Sequence, residues 1–111
     1  MEPTETQIKN IIDNHIWPDL SGIIAESGEH QIIVDIPNCR KLFGQECKFD
    51  KLLISCYYEI GSETYEDEIP FLSYKGAYSM KIEIDGKEFS SHKINVLFMK
   101  ELQDTIENLI G

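Results

Sequence analysis

Residues 49–60 read FDKLLISCYYEI and carry the clearest strand pattern in the chain. Every second residue from Leu52 to Ile60 is apolar or aromatic, and this alternation is typical of a β-strand with one face in a core. The positions between them, from Lys51 to Glu59, mix charged, polar and aromatic side chains. We therefore expect one buried face and one mixed face that is available to a helix or a partner.

Short apolar runs on either side of this segment predict further strands. The runs 21–26 and 30–36, separated by Ser27-Gly28-Glu29, are typical of a β-hairpin. The continuous run Ile32–Val34 indicates cover on both faces or a central place in the sheet. A strand over 69–74 begins near a proline, which fits an edge position.

A second hairpin is predicted at Asp85-Gly86, the favoured dipeptide of a two-residue type I′ turn. The preceding segment 77–84 alternates apolar and charged residues. The implied register places Ile82 opposite Phe89, a favourable apolar pair. It also places two glutamates, at 83 and 88, opposite each other, so a bulge or a longer loop is the alternative.

Helical patterns lie at both ends of the chain. Thr4 and Gln7 form a capping-box pattern ahead of isoleucines at helical spacing, and Trp17-Pro18 is expected to end that helix. A final helix is expected from near Asn95. Its apolar stripe comprises Phe98, Leu102, Ile106 and Leu109. A single helical turn is predicted over 38–44, with Asn38 as N-cap and Gly44 as the stop.

These elements predict an α+β fold in one domain spanning residues 1–111. The expected architecture is an antiparallel sheet of about five or six strands, with the N-terminal and C-terminal helices packed on one face. Apolar residues make up 41% of the chain, which is enough for a core and excludes a disordered acidic tail.

Acidic residues outnumber basic ones by 20 to 10, giving a formal net charge of −10. Residues 52–74 contain five acids and no lysine or arginine. Such a field disfavours direct binding of nucleic acid, whose phosphates require clustered Lys and Arg. A basic protein is the more natural partner, and the alternative is that the charge only keeps the domain soluble.

The three cysteines, Cys39, Cys47 and Cys56, are odd in number and match neither a disulfide framework nor a zinc site. They are expected to be reduced thiols. The N-terminus lacks the pattern of a signal peptide and no apolar run is long enough to span a bilayer, so the expected location is the cytoplasm, with no membrane association.

A search for catalytic motifs finds none of the GxGxxG, GxxxxGK, GxSxG, HExxH or CxxC patterns. We therefore expect neither an enzyme nor a cofactor or metal. Two alternatives stay open. Cys39 or Cys47 could pair with His30 or His92 as a nucleophile, and the acids of 63–68 could bind calcium, although that segment lacks the EF-hand register.

The candidate partner-binding residues combine tyrosines with acids in the segment that has no basic residue. Tyrosine offers a large contact area with a hydrogen-bonding tip, and acids at a rim steer a basic partner. The alternative is that Tyr58 and Tyr78 are core residues and Tyr65 decorates a loop. The predicted site comprises Tyr57, Glu59, Glu63, Tyr65, Glu66, Asp67 and Glu68.

A small, acidic, single-domain chain without a catalytic motif resembles, in profile alone, the immunity proteins of bacterial toxin systems and phage-encoded inhibitors that mimic nucleic acid. The resemblance implies a protein that occludes the positively charged cleft of a toxin, a nuclease or another basic partner. Two alternatives remain: a dimeric secretion-chaperone-like protein, which requires an exposed apolar strip, and a small-ligand-binding or enzymatic domain, which requires a concave pocket. The sequence leaves monomer and homodimer open.

Overall fold

A computed structural model describes residues 3–16, 23–64 and 69–111. The protein has an α+β fold in which helices from both ends of the chain pack on one face of an antiparallel sheet. In chain order, the elements are α1 (Pro3–Ile11) with a π-helical continuation (Ile12–Ile16), β1 (Gly28–Ile36), α2 (Cys39–Phe43), β2 (Leu52–Glu63), β3 (Phe71–Ile84), β4 (Lys87–Glu88) and α3 (His92–Ile110).

Strand β2 confirms the alternation predicted from its sequence. Its alternate side chains from Leu52 to Ile60 are all buried, while the residues between them are half-buried or exposed. The strand runs to Glu63, three residues beyond the predicted end, so less of the segment 61–68 is loop than expected. Phe49 lies before the strand and is itself buried in the core.

Within the described residues, the sheet has four strands in the order β1-β2-β3-β4, fewer than the predicted five or six. The first arm of the predicted hairpin is not a strand over 23–27. There the backbone of Ile24 turns to the phenol of Tyr58, donating its N–H at 3.1 Å and accepting the hydroxyl at 2.9 Å. The predicted strands 69–74 and 77–84 also join into the single strand β3.

The prediction for Ile32–Val34 is wrong, because β1 lies at the edge of the sheet and has helices on one face only. Ile32 is 7% exposed and faces the core, whereas Ile33 is 57% exposed and faces away from it. A run of apolar residues in this strand therefore places one isoleucine on the surface, since successive side chains point to opposite faces.

Helices α1 and α3 cover one face of the sheet and complete the core. Ser91 caps α3 by accepting the N–H of Ile94 at 3.3 Å, and its hydroxyl donates to Glu5 of α1 at 2.6 Å. The cap thus joins the two helices and starts α3 earlier than predicted. Core residues on these helices are Ile8, Ile11, Ile12, Ile94, Phe98, Leu102 and Ile106.

Gln7 does not form the predicted capping box, since α1 already begins at Pro3. Its side-chain amide instead donates to the carbonyl of Glu46 at 2.7 Å and accepts the N–H of Lys48 at 2.8 Å. This pair of bonds fastens α1 to the segment between α2 and β2, next to the buried Cys47. The predicted helix end at 17–18 lies outside the described residues.

The predicted helical turn at α2 and the predicted hairpin at Asp85-Gly86 are both present, but Asn38 does not cap α2 as predicted, because it has φ 62° and its side chain forms no capping hydrogen bond. Gly44 ends α2 with φ 102°, a conformation that favours glycine. Asp85 and Gly86 have φ 51° and 82°, and β4 pairs in the expected register, including the opposed pair of glutamates at 83 and 88. The ammonium group of Lys81 offsets part of that repulsion, since it lies 3.0 Å from the carboxylate of Glu83 and also interacts with the charge of Glu88.

Leu102 and Leu109 provide a matched test of how α3 packs. Leu102 is fully buried, so Leu102→Ala should lower the free energy of unfolding by about 2–5 kcal/mol. Leu109, predicted to be core, is 56% exposed, and Leu109→Ala should change the free energy by only about 0.5 kcal/mol. Urea denaturation of the two variants measures both free energies of unfolding. Equal losses of stability would contradict the placement of Leu102 on the buried side of α3 and of Leu109 on its exposed side.

Asp85 provides a test of stability against pH. Its carboxylate accepts the N–H groups of Lys51 at 2.8 Å and Asp50 at 3.0 Å, and these bonds lower its pKa below the usual 3.8. A lowered pKa stabilises the fold above the unfolded-state pKa, and this stabilisation is lost as the pH falls through the folded-state pKa. Asp85→Asn keeps an acceptor oxygen and tolerates positive φ, but removes the charge.

We expect Asp85→Asn to be less stable than the wild type at pH 7 by up to about 1 kcal/mol, because the exposed carboxylate is screened by water. The difference should shrink below about pH 4 and vanish once Asp85 is protonated. Denaturation midpoints measured from pH 2.5 to pH 7 give the comparison. A difference that stays constant with pH would assign the effect to backbone conformation instead of charge.

Candidate partner-binding face

The sheet face opposite α1 and α3 is the candidate functional site, and we call it the open face. Its side chains alternate with the buried ones along each strand, and the strand register identifies them. The open face comprises Glu29, Gln31, Ile33 and Asp35 of β1; Leu53, Ser55, Tyr57, Glu59, Gly61 and Glu63 of β2; Phe71, Ser73, Lys75, Tyr78, Lys81 and Glu83 of β3; and Glu88 of β4.

Two tyrosines form the centre of the open face. The rings of Tyr57 and Tyr78 stack with centroids 5.7 Å apart and an interplanar angle of 15°, and each side chain stays 40% exposed. The hydroxyl of Tyr78 donates to the carboxylate of Glu29 across the sheet at 2.8 Å. This hydrogen bond, with the charges of Glu29 and Glu59, raises the pKa of Tyr78.

A β-bulge brings Tyr78 to this face. Ser55 pairs with Lys81 but Tyr57 pairs with Tyr78, so β3 has one extra residue between these pairs. Ser79 absorbs the extra residue with φ 56°. Because a one-residue shift moves the following side chains to the opposite face, Tyr78 stacks on Tyr57 instead of joining Ile82 in the core.

A second bulge, nearer the start of β3, restores the alternation of side chains between the two faces. Glu59 pairs with Gly76 and Ile60 with Tyr74, leaving Lys75 as the extra residue. The stem of Lys75 crosses Gly61 so closely that a Cβ atom there would collide with it, and its ammonium group forms an ion pair with Glu63. Glycine at 61 therefore leaves the space through which this lysine reaches Glu63.

Negative charge dominates the open face. Its described residues include the carboxylates of Glu29, Asp35, Glu59, Glu63, Glu83 and Glu88, against the ammonium groups of Lys75 and Lys81. Both lysines already have acidic neighbours: Lys75 contacts Glu63, and Lys81 lies 3.0 Å from Glu83, whose hydrogen bond raises the pKa of Lys81. Asp35 and Glu59 form no ion pair with any described residue.

The structure brings part of the predicted site together. Tyr57, Glu59 and Glu63 share the open face of β2, because their separations of two and four residues are both even. The other predicted residues, Tyr65, Glu66, Asp67 and Glu68, lie outside the described residues.

Sequence reasoning missed Glu29, Ile33 and Tyr78, and the reasons differ. Tyr78 was weighed as a core residue, because without the bulge at Ser79 it would share a face with Met80 and Ile82. For Ile33 the apolar run predicts cover on both faces or a central place in the sheet. Glu29 was placed in a turn, and only the register between β1 and β2 brings it near Tyr78.

Burial lowers the reactivity of the cysteines in this fold. All three are free and buried, and burial raises the pKa of Cys39 and Cys56 to about 11 each. Such thiols stay protonated at neutral pH and are poor nucleophiles. His30 contacts the ring of Tyr58 and the carbonyl of Glu26. In the described ranges, no three His, Cys, Asp or Glu side chains are grouped so that they could hold a metal ion.

The described part of the chain also offers two small open cavities, both on the helical side. Each has a volume of about 230 Å³. One lies beside Gln7, Phe43 and Cys47, and the other lies between α1 and α3 near Lys9 and Lys93. These volumes fall below the range of roughly 300–1,000 Å³ usual for ligand pockets.

None of the described helices combines the length and apolarity needed to cross a bilayer. Comparison with known proteins finds no matching family model, curated protein or solved structure. The case for function therefore depends on the open face itself.

The pairing of Tyr78 with Glu29 can be tested by titration. Glu29→Gln keeps an acceptor but removes its charge, so the pKa of Tyr78 should fall towards its usual value of about 10. Ultraviolet titration of each protein against its Tyr78→Phe derivative isolates this phenol. Asp104→Asn on the exposed side of α3 is the control. An unchanged pKa in Glu29→Gln would contradict the contact.

Proposed function

We propose that the protein is an acidic binding domain that neutralises a basic protein partner by occluding its positively charged cleft. The carrying observation is the open face, where the exposed tyrosine pair lies among an excess of carboxylates. Aromatic side chains anchor interfaces, and a surrounding charge of one sign selects and steers a partner of the opposite sign.

The tyrosine pair is suited to anchoring. Because Tyr57 and Tyr78 stack on each other and Glu29 holds the hydroxyl of Tyr78, part of their rotational freedom is already lost before binding. A partner that buries these rings then loses less conformational entropy in ordering them. Rigid exposed aromatic rings of this kind are typical of binding surfaces.

The carboxylates are suited to attracting cations. Asp35 and Glu59 flank the central residues of the open face and have no ion-pair partner among the described residues, so their charges remain available. The overall charge of −10 adds a long-range attraction that raises the association rate of a basic protein. A nuclease or another cationic toxin has the complementary surface.

In this proposal the protein works in the cytoplasm as an immunity protein or inhibitor, by steric and electrostatic blockade and without catalysis, cofactor or bound nucleic acid. The secretion-chaperone-like alternative predicts a stable homodimer holding an extended apolar segment. The small-ligand alternative predicts binding in one of the cavities on the helical side. Sedimentation of the free protein tests for the homodimer that the chaperone-like alternative requires. The capture experiment below tests whether the protein binds a basic partner.

The partner can be sought with matched baits in a lysate of the source organism. We expect the wild-type protein to retain a basic protein, and Tyr57→Ala to lose it. The double variant Asp35→Asn/Glu59→Gln should retain less of it. The control bait, Asp104→Asn/Glu107→Gln, removes the same charge from the exposed side of α3 and should behave as the wild type.

Kinetics with the captured protein then separate steering from anchoring. The open-face charge variant should associate several-fold more slowly at low salt, and its rate should depend less on salt, while the control pair matches the wild type. Tyr57→Ala should mainly raise the dissociation rate, by roughly 30-fold if it is a hot spot of 2 kcal/mol. Equal behaviour of all variants, or retention of only acidic proteins, would contradict the proposal.

A further inference from the structure

Strand β1 has an outer edge, beside the open face, that pairs with no strand of the described residues. It pairs with β2 at nine successive positions from Gly28 to Ile36, and no strand lies on its other side in the described sheet. Among the described residues, one backbone group of β1 forms a contact outside that ladder: the carbonyl of Ile36 accepts the Cys39 thiol at 3.3 Å. The outer edge of 29–35 therefore has backbone groups open to another chain.

The edge lacks three features that commonly prevent strand addition, namely a bulge, a proline and a lysine. Natural edge strands are interrupted by bulges or prolines, or carry lysines. The register between β1 and β2 has no shift, and β1 contains neither proline nor lysine. Nine residues also exceed the usual strand length of about five or six.

The outward side chains of β1 determine which strand fits. On the open face, Glu29 and Asp35 lie near the ends of the strand, with Ile33, 57% exposed, between them. Opposite charges and apolar pairs stabilise neighbouring strands, whereas like charges destabilise them. A suitable partner strand has a basic residue facing each acid and an apolar residue facing Ile33.

A second copy of this chain is a poor occupant. In a two-fold antiparallel pairing centred on Ile32, Glu29 of each copy faces Asp35 of the other. A register centred on Ile33 avoids that contact but still brings together two chains of net charge −10. The acids thus discourage self-pairing while they favour a basic segment.

We propose that β1 receives an extended basic segment of the partner as an added strand. The inference deepens the proposed function and rests on it, since it names the partner chemistry and the binding mode at the edge of the same face. Backbone hydrogen bonds supply affinity and the alternate side chains supply selectivity, as in other cases of strand addition. The six-residue interval between Glu29 and Asp35 requires basic residues six positions apart, or about 20 Å in an extended chain.

A synthetic peptide tests strand addition without the natural partner. The probe is acetyl-Thr-Lys-Thr-Val-Thr-Val-Thr-Lys-Thr-amide with a fluorescent label; it reads the same in both directions and so fits parallel or antiparallel pairing. Its isomer Thr-Lys-Thr-Val-Thr-Val-Lys-Thr-Thr has the same composition but places the lysines on opposite faces. Fluorescence anisotropy at low salt should show at least about tenfold tighter binding of the probe.

N-methylation distinguishes a paired strand from an attracted cation. Two derivatives carry methyl groups on alternate backbone nitrogens, one set at odd and one at even positions. Only one edge of an added strand faces β1, so one derivative should lose binding and the other should keep it. Equal affinities of the two derivatives, or of the probe and its isomer, would overturn the inference.

Ile33→Lys places a lysine on the edge of β1, where it opposes pairing with another strand. The variant should weaken probe binding by about tenfold or more. Val96→Lys adds the same charge at a residue of α3 that is 51% exposed and is the matched control. Hydrogen exchange should show new protection of β1 amides in the bound wild type.

The proposals on function and on strand addition fail separately. One outcome is salt-dependent binding of the probe whose affinity changes neither with N-methylation nor with Ile33→Lys. That result would overturn strand addition and would leave the acidic face as a binding surface. Absence of probe binding at low salt also overturns strand addition. Loss of the charge effect in the capture experiment, with N-methyl selectivity retained, would overturn the proposed function alone.

Discussion

The buried side of β2 is the constraint on which the fold depends. Its side chains from Leu52 to Ile60 lie in the middle of the core and are covered by residues of both terminal helices. Both long neighbouring strands pair with β2, and one of its tyrosines, Tyr58, also fixes the backbone of Ile24. Any shift of β2 by one residue would exchange its buried and exposed sides and dismantle the helix packing together with the open face.

Strand β3 can follow β2 over this length only because it deviates twice from regular alternation. A regular 14-residue strand would carry Tyr78 into the core and disturb the side chains that follow. The bulges at Ser79 and Lys75 let the two strands stay paired while their residues are sorted between the core and the open face. The long hairpin also explains the extended shape: the radius of gyration is 15.9 Å, against roughly 13 Å for a compact chain of this length.

Sequence patterns were sufficient where a single local rule operates. The alternation in 49–60, the Asp85-Gly86 turn, the stop at Gly44 and the stripe from Phe98 to Ile106 each follow from a period or a backbone preference, and each is present. They were insufficient where the outcome depends on a distant partner. The run 21–26 has the pattern of a strand, but the phenol of Tyr58 forms hydrogen bonds with the backbone of Ile24. Gln7 has the pattern of a capping residue, but its side chain forms hydrogen bonds with the backbone of the segment 46–48.

The candidate site also contains residues whose placement follows from a local pattern and residues whose placement depends on a distant strand. Tyr57, Glu59 and Glu63 are related by a two-residue period within one strand, so their common orientation was predictable. Glu29 and Tyr78 are 49 positions apart in the chain, and their contact requires a register and a bulge that no short window encodes. Leu109 shows the opposite error, since it has the helical spacing of the apolar stripe but is 56% exposed, while its neighbour Ile110 packs against the core in the last turn of α3.

The attachment of α1 through Gln7 has a consequence for the order in which the protein opens. Cys47 lies beside this attachment, whereas Cys56 lies in the middle of β2. Release of α1 would uncover the first thiol without breaking a single pair of the sheet, but the second becomes accessible only when the strands themselves separate. The chain therefore contains two internal reporters, whose alkylation rates distinguish fraying of the N-terminal helix from cooperative unfolding of the whole molecule.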